Sequence, residues 1–145
     1  MQDLFQPSMS ENAVKAMSAL ALAHMGDAVF ELLVRTRLCL DGGCTNHRLH
    51  RETVARVCAS AQAAFAEKLL PLLTEEETAY YRRGRNAHPH GIPKNATPGE
   101  YSRATGVEAL FGALYLLGRR ERAAELFEAV TARLPAYRTE GHHAV

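Results

Sequence analysis

Apolar residues recur along the first forty positions at the three- and four-residue spacing of a helix face. Ser8 and Glu11 have the spacing of a capping box, which predicts a helix start close to Ser8. Gly26 interrupts the run as a possible joint, and the helical pattern continues from Ala28 to Leu40. The apolar positions of the run are Val14, Met17, Leu20, Ala21, Met25, Val29, Leu32 and Leu33.

Turn residues then divide the chain into further helical segments. The stretch "DGGCTN" is a clear break, and "HRLHRETVARVCASAQAAFAEKLLPLL" follows as a second helical stretch that should bend or end near Pro71. Thr74 and Glu77 form a second capping box, which opens "EEETAYYRRGRN". The segment "AHPHGIPKNA" after it is a loop, because its Pro, Gly and Asn residues disfavour regular structure.

The strongest start signal combines Thr97 as N-cap, Pro98 at the first helical position and Glu100 three residues after the cap. This helix should run to about Leu117 and end at Gly118, before an amphipathic helix in "RRERAAELFEAVTARL". No segment alternates with the two-residue period of a strand. We therefore predict an all-α fold in a single domain over residues 1–145, with a core of about 10–135 and a flexible tail at 136–145.

Composition and charge narrow the class of protein. The chain has 145 residues, of which 47% are hydrophobic and 23% charged, as is usual for one globular domain. Its net charge is only +1, so binding to a polyanion would need a local basic patch. Three cysteines without metal-type spacing are typical of reduced thiols, and neither a signal peptide nor a membrane span is visible. The expected location is the cytoplasm.

Two carboxylates lie within apolar helical runs, Asp27 in "ALAHMGDAVFELLVR" and Glu108 in "VEALFGALYLLG". Burial of an unpaired carboxylate is costly, so each needs a partner. If the two helices pack together, Asp27 and Glu108 could converge, and a divalent cation such as Mg²⁺ or Mn²⁺ would resolve their repulsion. The alternative is that each forms a structural ion pair, for example with Arg35 or Arg103. Glu31, four residues after Asp27, shares its helix face.

A basic segment, "RRGRNAHPHGIPKNA", is the second candidate site. Clustered arginines and lysines match phosphate oxygens and attract a nucleic-acid backbone, while a solvated surface loop is the alternative interpretation. A metal site formed by His88 and His90 lacks a third ligand at suitable spacing. The candidate RNA-binding residues are Arg82, Arg83, Arg85, Asn86, Lys94 and Asn95.

These segments together resemble the ribonuclease III catalytic domain, and more closely its branch without a double-stranded RNA-binding domain, Mini-ribonuclease III. The similar stretches are "LALAHMGDAVFELLVR", "HRLHRETVARVCASAQA", "LTEEE", "RRGRNA", "PKNA" and "YSRATGVEALFGALYLLGR". They cover roughly residues 10–120, in the family's order and with similar spacing. Single motifs such as GDAV are weak signals, whereas the full series is highly specific.

The resemblance implies a homodimeric, Mg²⁺-dependent endoribonuclease that cuts double-stranded RNA and leaves 5′-phosphate and 3′-hydroxyl ends. Asp27 matches the catalytic aspartate, and Glu108 matches the metal-binding glutamate. In this branch the typical substrate is the precursor of the large-subunit (23S) ribosomal RNA, and a ribosomal protein is a possible partner. We expect no separate RNA-binding domain after Val145, so the basic segment should contact the RNA.

Three positions depart from the wider family. Ala23 and Thr105 stand where full-length ribonuclease III has further acids, so two carboxylates remain for one or two metal ions. His24 stands where an aromatic residue often packs into the partner subunit, and we assign it to the dimer interface. Mg²⁺ usually keeps several waters, which could complete its coordination.

Two other classes of function compete with the nuclease. A catalytically silent ribonuclease III-like scaffold for ribosome assembly would bind RNA without cutting it, but it would not need both acids. A helical His-Asp phosphohydrolase would need adjacent histidine and aspartate ligands, and this chain has no such pair.

Overall fold

The helix that follows Thr97 is the centre of the fold. The computed structural model describes residues 2–43, 45–87, 96–134 and 137, and over these ranges it contains helices and no β-strand, which confirms the all-α prediction. The elements are α1 (Glu11–Ala16), α2 (Ala19–Asp41), α3 (Asn46–Val57), α4 (Ala59–Leu69), a short 3-10 helix (Leu70–Leu72), α5 (Glu75–Arg85), α6 (Pro98–Leu116) and α7 (Arg120–Thr131).

Helix α6 is surrounded by the other helices. Helices α2, α4 and α5 pack along it, and α7 contacts its C-terminal part. From residue 104 to residue 114 almost every side chain of α6 is buried, as expected for a helix that is apolar on all sides. Among the helices of the described ranges, none has the length and apolar content to cross a bilayer.

The capping signals of α5 and α6 are confirmed. Thr74 accepts a hydrogen bond from the backbone of Glu77, and the Glu77 side chain accepts one from the backbone of Thr74. Thr97 and Glu100 make the same reciprocal pair, with Pro98 in the first turn. The chain leaves α6 at Gly118, whose φ of 81° favours glycine.

Other predicted boundaries were wrong. The first helix begins after Ser10, not Ser8, because the Ser10 hydroxyl accepts from the Ala13 backbone. A break at residues 17–18 was missed, since Ser18 caps a new helix, and α2 then continues through Gly26 without a joint. The second helical stretch divides at Cys58, whose backbone is extended, into α3 and α4.

A cluster of phenylalanines joins four helices in the core. Phe30 of α2 makes edge-to-face contacts with Phe65 of α4, Phe111 of α6 and Phe127 of α7, at centroid distances of 5.0, 5.6 and 5.7 Å. The predicted flexible tail, 136–145, lies outside the described residues except for Tyr137, whose ring packs 6.0 Å from Phe127. Phe30 and Phe111 each follow a candidate site residue by three positions, so this cluster anchors the parts of α2 and α6 that carry Asp27 and Glu108.

Glycines allow α2 and α6 to approach closely. A Cβ atom added to Gly26 would lie 1.5 Å from the carbonyl oxygen of Glu108, and one added to Gly112 would lie 2.0 Å from the carbonyl oxygen of Leu22. No side chain fits into either space. The backbones therefore touch at this crossing, which places Asp27, the neighbour of Gly26, beside Glu108.

Candidate active site

The structure brings the two predicted carboxylates together. Asp27 is exposed on α2, and Glu108 is half-buried on α6. The pKa of Glu108 is raised to about 8, first because burial penalises its charged form and then because Asp27 is negatively charged and hydrogen-bonds to it. A hydrogen bond with Gln62 partly opposes this rise in pKa.

Arginine does not neutralise either acid. Arg35 forms an ion pair with Glu31, at 2.8 Å, and so is not the partner of Asp27. Within the described ranges no lysine or arginine forms a salt bridge with Asp27 or Glu108. The structural ion pairs considered from the sequence are thus not found among the described residues, none of which places a lysine or arginine in an ion pair with these two carboxylates.

This donor set fits a divalent cation. Two facing carboxylates supply the hard oxygen ligands that Mg²⁺ and Mn²⁺ prefer, and a bound cation would relieve their repulsion. The described residues contain no group of three or more His, Cys, Asp or Glu side chains that could hold a metal ion. Asp27 and Glu108 would therefore hold the cation together with water.

At residues 23 and 105, where the wider family has further acids, this chain places no side chain that is available to bind a cation. Ala23 is buried in the core. Thr105 is also buried, and its hydroxyl donates a hydrogen bond to the carbonyl of Tyr101, at 2.9 Å. Neither position offers a free oxygen to a cation.

Gln62 is a site residue that we did not predict. It lies on α4 with 3% of its surface exposed, and its side-chain amide lies close enough to Glu108 to oppose the rise in the pKa of that carboxyl. Its Nε2 also donates to the carbonyl oxygen of Val57, at 2.8 Å. The sequence signal that could have indicated Gln62 is its position as the one amide among the apolar residues of "AQAAFA", on the face of α4 that the structure buries.

The predicted RNA-binding residues that the structure describes do not all point to solvent. Arg82, Arg85 and Asn86 are exposed at the C-terminal end of α5, whereas Arg83 is half-buried. The Arg83 guanidinium donates to the carbonyl of Met17 at 2.5 Å and lies 6.0 Å from the centre of the Tyr80 ring. Arg83 therefore ties α5 to the end of α1. Lys94 and Asn95, with His88 and His90, lie outside the described residues.

Arg103 adds a positive group that we did not assign to RNA binding. Burial raises the pKa of Tyr81, and the positive charges of Arg85 and Arg103 oppose this rise, so both guanidinium groups lie near the same ring. The Nε atom of Arg103 has no hydrogen-bond partner in the described part of the chain. The positive charge of Arg103, on α6, thus lies near that of Arg85, at the end of α5.

His24 lies on an exposed face of α2. Leu20, His24, Ala28 and Leu32 follow one another at four-residue spacing, and all four are exposed. Leu20 and Leu32 keep 41% and 55% of their surfaces exposed, which is high for leucine. His24, the predicted interface residue, therefore lies in a partly apolar ridge that is exposed to solvent in the single chain.

Comparison with known proteins identifies the family. A sequence model of the Ribonuclease III domain matches residues 20–119, a range that contains both Asp27 and Glu108. The chain belongs to the ribonuclease III family. As a family member it is an endoribonuclease, which confirms the class of enzyme predicted from the sequence.

Proteins named Mini-ribonuclease 3 are among the relatives of this ribonuclease III family member. The chain is 50% identical to a Mini-ribonuclease 3 of Symbiobacterium thermophilum over 110 residues, which cover 76% of this chain and 85% of that protein. It is 43% identical to the Mini-ribonuclease 3 of Enterococcus faecalis, over 77% and 86% of the two chains. Among solved structures, the crystal structure of protein FN1578 from Fusobacterium nucleatum matches with a TM-score of 0.73 and 31% identity, over 83% of this chain and 98% of that one.

Proposed function

We propose that this chain is a Mg²⁺-dependent endoribonuclease that cuts double-stranded RNA, with Asp27 and Glu108 as its catalytic and metal-binding residues. The observation that carries the proposal is the pair of neighbouring carboxylates, for which the described part of the chain provides no salt bridge to lysine or arginine. Mn²⁺, with similar ligand preferences, would replace Mg²⁺.

Each carboxylate has a distinct part in the chemistry. A bound divalent cation would supply an activated water and stabilise the charge that develops on the phosphate. Asp27 is exposed and can meet the RNA backbone, whereas Glu108 is half-buried and fixed by its neighbours, so it anchors the site. Hydrolysis in this arrangement leaves a 5′-phosphate and a 3′-hydroxyl.

The RNA would lie along the exposed end of α5. Arg82, Arg85 and Asn86 offer donors to phosphates there, and Lys94 and Asn95 follow in the chain. Arg83 has a smaller part in this proposal, because the Met17 carbonyl already engages its guanidinium. Contacts of this kind recognise A-form shape and carry little sequence information.

Two copies of the chain would pair through α2. The ridge of Leu20, His24, Ala28 and Leu32 is exposed and partly apolar, and it lies on the same helix as Asp27. Burial of such a ridge against a second copy would stabilise a homodimer. A homodimer carries two carboxylate pairs, one for each strand of a duplex.

The proposed physiological substrate is the precursor of 23S ribosomal RNA in the cytoplasm, with a ribosomal protein as a possible helper. Similarity to proteins named Mini-ribonuclease 3 supports this choice. The few base contacts available to a surface of this kind are consistent with a substrate selected by RNA shape and by a partner.

The test is a cleavage assay on long double-stranded RNA and on precursor 23S RNA, with Mg²⁺ or with EDTA. We expect cutting with Mg²⁺ only, ends that carry 5′-phosphate, and no cutting by Asp27→Asn. Glu31→Gln, one turn further along the same helix and paired with Arg35, is the matched control and should keep activity. Binding of both RNAs without cleavage by the unchanged chain would instead indicate the RNA-binding scaffold.

A further inference from the structure

The side-chain amide of Gln62 joins three parts of the fold. Gln62 is 3% exposed on α4, where its neighbours on the buried face are apolar. One contact of the amide is the hydrogen bond from Nε2 to the Val57 carbonyl, at the point where α3 ends. On its other side the amide lies near the Glu108 carboxyl on α6, close enough to lower the pKa of that group. The amide therefore links the α3–α4 junction to the half-buried carboxylate.

The acceptor atom of the same amide has no partner. Oε1 of Gln62 is buried and accepts no hydrogen bond from the described residues. A buried, unpaired acceptor destabilises a fold, so such an atom calls for a functional explanation. Beside a cation site the explanation is available, because Mg²⁺ keeps several waters and each of them is a hydrogen-bond donor.

We propose that Gln62 is a positioning residue for the catalytic centre: held by the Val57 carbonyl, it orients the Glu108 carboxylate and accepts a hydrogen bond from a water of the hydrated cation. The proposal rests on the proposed function of Asp27 and Glu108 as a cation site. A neutral amide suits this position, since it donates to a carboxylate without adding a third negative charge. It would also compensate for the small number of protein ligands, because it orders the water that completes the coordination.

The principal test is Gln62→Met, which keeps the length of the side chain and removes both polar groups. Mn²⁺ affinity is measured by electron paramagnetic resonance without RNA, and the Mg²⁺ concentration for half-maximal cleavage is measured on double-stranded RNA. Loss of a hydrogen bond to a ligating carboxylate typically weakens metal binding by about 10-fold or more, and we expect a weakening of that order in both measurements. RNA binding in EDTA should be unchanged, whereas general damage to the fold would reduce it.

The matched control is Thr53→Val, another isosteric change of a buried polar side chain. Within the described ranges its hydroxyl donates only to the Leu49 carbonyl of its own helix, at 2.8 Å, so Mn²⁺ affinity should stay as in the unchanged chain. If Gln62→Met fails to fold, Gln62→Asn keeps the amide but is one methylene too short for both contacts, and it should shift both measurements in the same direction.

The outcomes separate this inference from the proposed function. Equal Mn²⁺ affinity and equal Mg²⁺ dependence in the unchanged chain and a folded Gln62 variant would overturn the role of Gln62 alone. An unchanged chain that neither binds Mn²⁺ nor cuts RNA would overturn the cation site itself. Weaker binding in Gln62→Met and Thr53→Val alike would show that the effect comes from packing, and would also overturn the inference.

Discussion

The surroundings of Glu108 disfavour the charged form of its carboxyl group. Its pKa is raised from 4.5 to about 8 by burial and by the negative charge of Asp27. Between these two values the folded chain binds more protons at this group than the unfolded chain does. The free energy of unfolding therefore falls as the pH rises from about 4.5 to 8, as far as this group is concerned. Under the proposed function, this loss of stability would be relieved when Asp27 and Glu108 bind a cation, since functional sites often cost stability.

Replacement of Glu108 by glutamine should stabilise the metal-free protein. Glu108→Gln removes the charge that burial penalises, so the variant should be more stable at pH 8 by the order of 1–2 kcal/mol, and no more stable at pH 5. Urea denaturation in EDTA at the two pH values measures this. Glu31→Gln, whose acid is paired with Arg35, is the control and should show no such pH-dependent gain. A variant less stable than the unchanged chain at pH 8 would contradict the pKa assignment.

The crossing of α2 and α6 brings Asp27 and Glu108 together. It depends on the absence of a side chain at Gly26, since an added Cβ would overlap the carbonyl of Glu108. Gly26→Ala should force the two helices apart, destabilise the fold by about 3 kcal/mol or more, and abolish cleavage. Thermal unfolding and the RNA cleavage assay measure the two effects.

Gly99 provides the matched control on α6. Among the described residues, an added Cβ there would meet only Arg103 Nη1, at 3.8 Å, which is an ordinary contact. Gly99→Ala should therefore leave cleavage unchanged and keep or slightly raise stability, because alanine is the better helix former. If both glycine variants behaved alike, close backbone approach would not be what assembles the site.

The exposed end of α5 is the element proposed to contact RNA. Arg82→Ala/Arg85→Ala should weaken binding to double-stranded RNA in EDTA and lower the slope of log affinity against log salt by about two. Arg120→Ala/Arg133→Ala removes two exposed arginines of α7 and its C-terminal end, so it has the same net charge and should keep the slope. A similar loss in both double variants would mean that total charge, not this surface, governs binding.

At the scale of the whole molecule, the ridge on α2 predicts the oligomeric state. We expect a dimer in sedimentation equilibrium and a monomer for Leu32→Arg, because a buried, unpaired charge opposes association. Leu32 is 55% exposed in one chain, so the change costs the isolated fold little. Leu4→Arg, at a leucine that is 80% exposed near the N-terminus, is the control and should remain dimeric. A Leu32→Arg protein that stays dimeric would place the interface elsewhere.

Local signals in the sequence were enough to predict where α5 and α6 begin. The boxes at Thr74 and Thr97 were predicted correctly because a cap involves backbone groups only three residues away. The same rule failed at Ser8, since Ser10, two residues further along, caps α1 instead, and Ser18 then caps a separate helix, α2. Asp27 and Glu108 were predicted as a candidate site because each is an acid within an apolar helical run.

The sequence by itself was enough to predict an all-α fold, the family and the two carboxylates of the candidate site. Capping, helical periodicity, sequence motifs and residue type are all properties of short segments. Only the tertiary structure decided that Asp27 and Glu108 meet, since their contact depends on two glycines on different helices, Gly26 and Gly112. It also decided that Gln62 reaches Glu108 and that Arg83 turns towards Met17. Such contacts join residues far apart in the chain, and no local pattern encodes the direction of a side chain within a packed core.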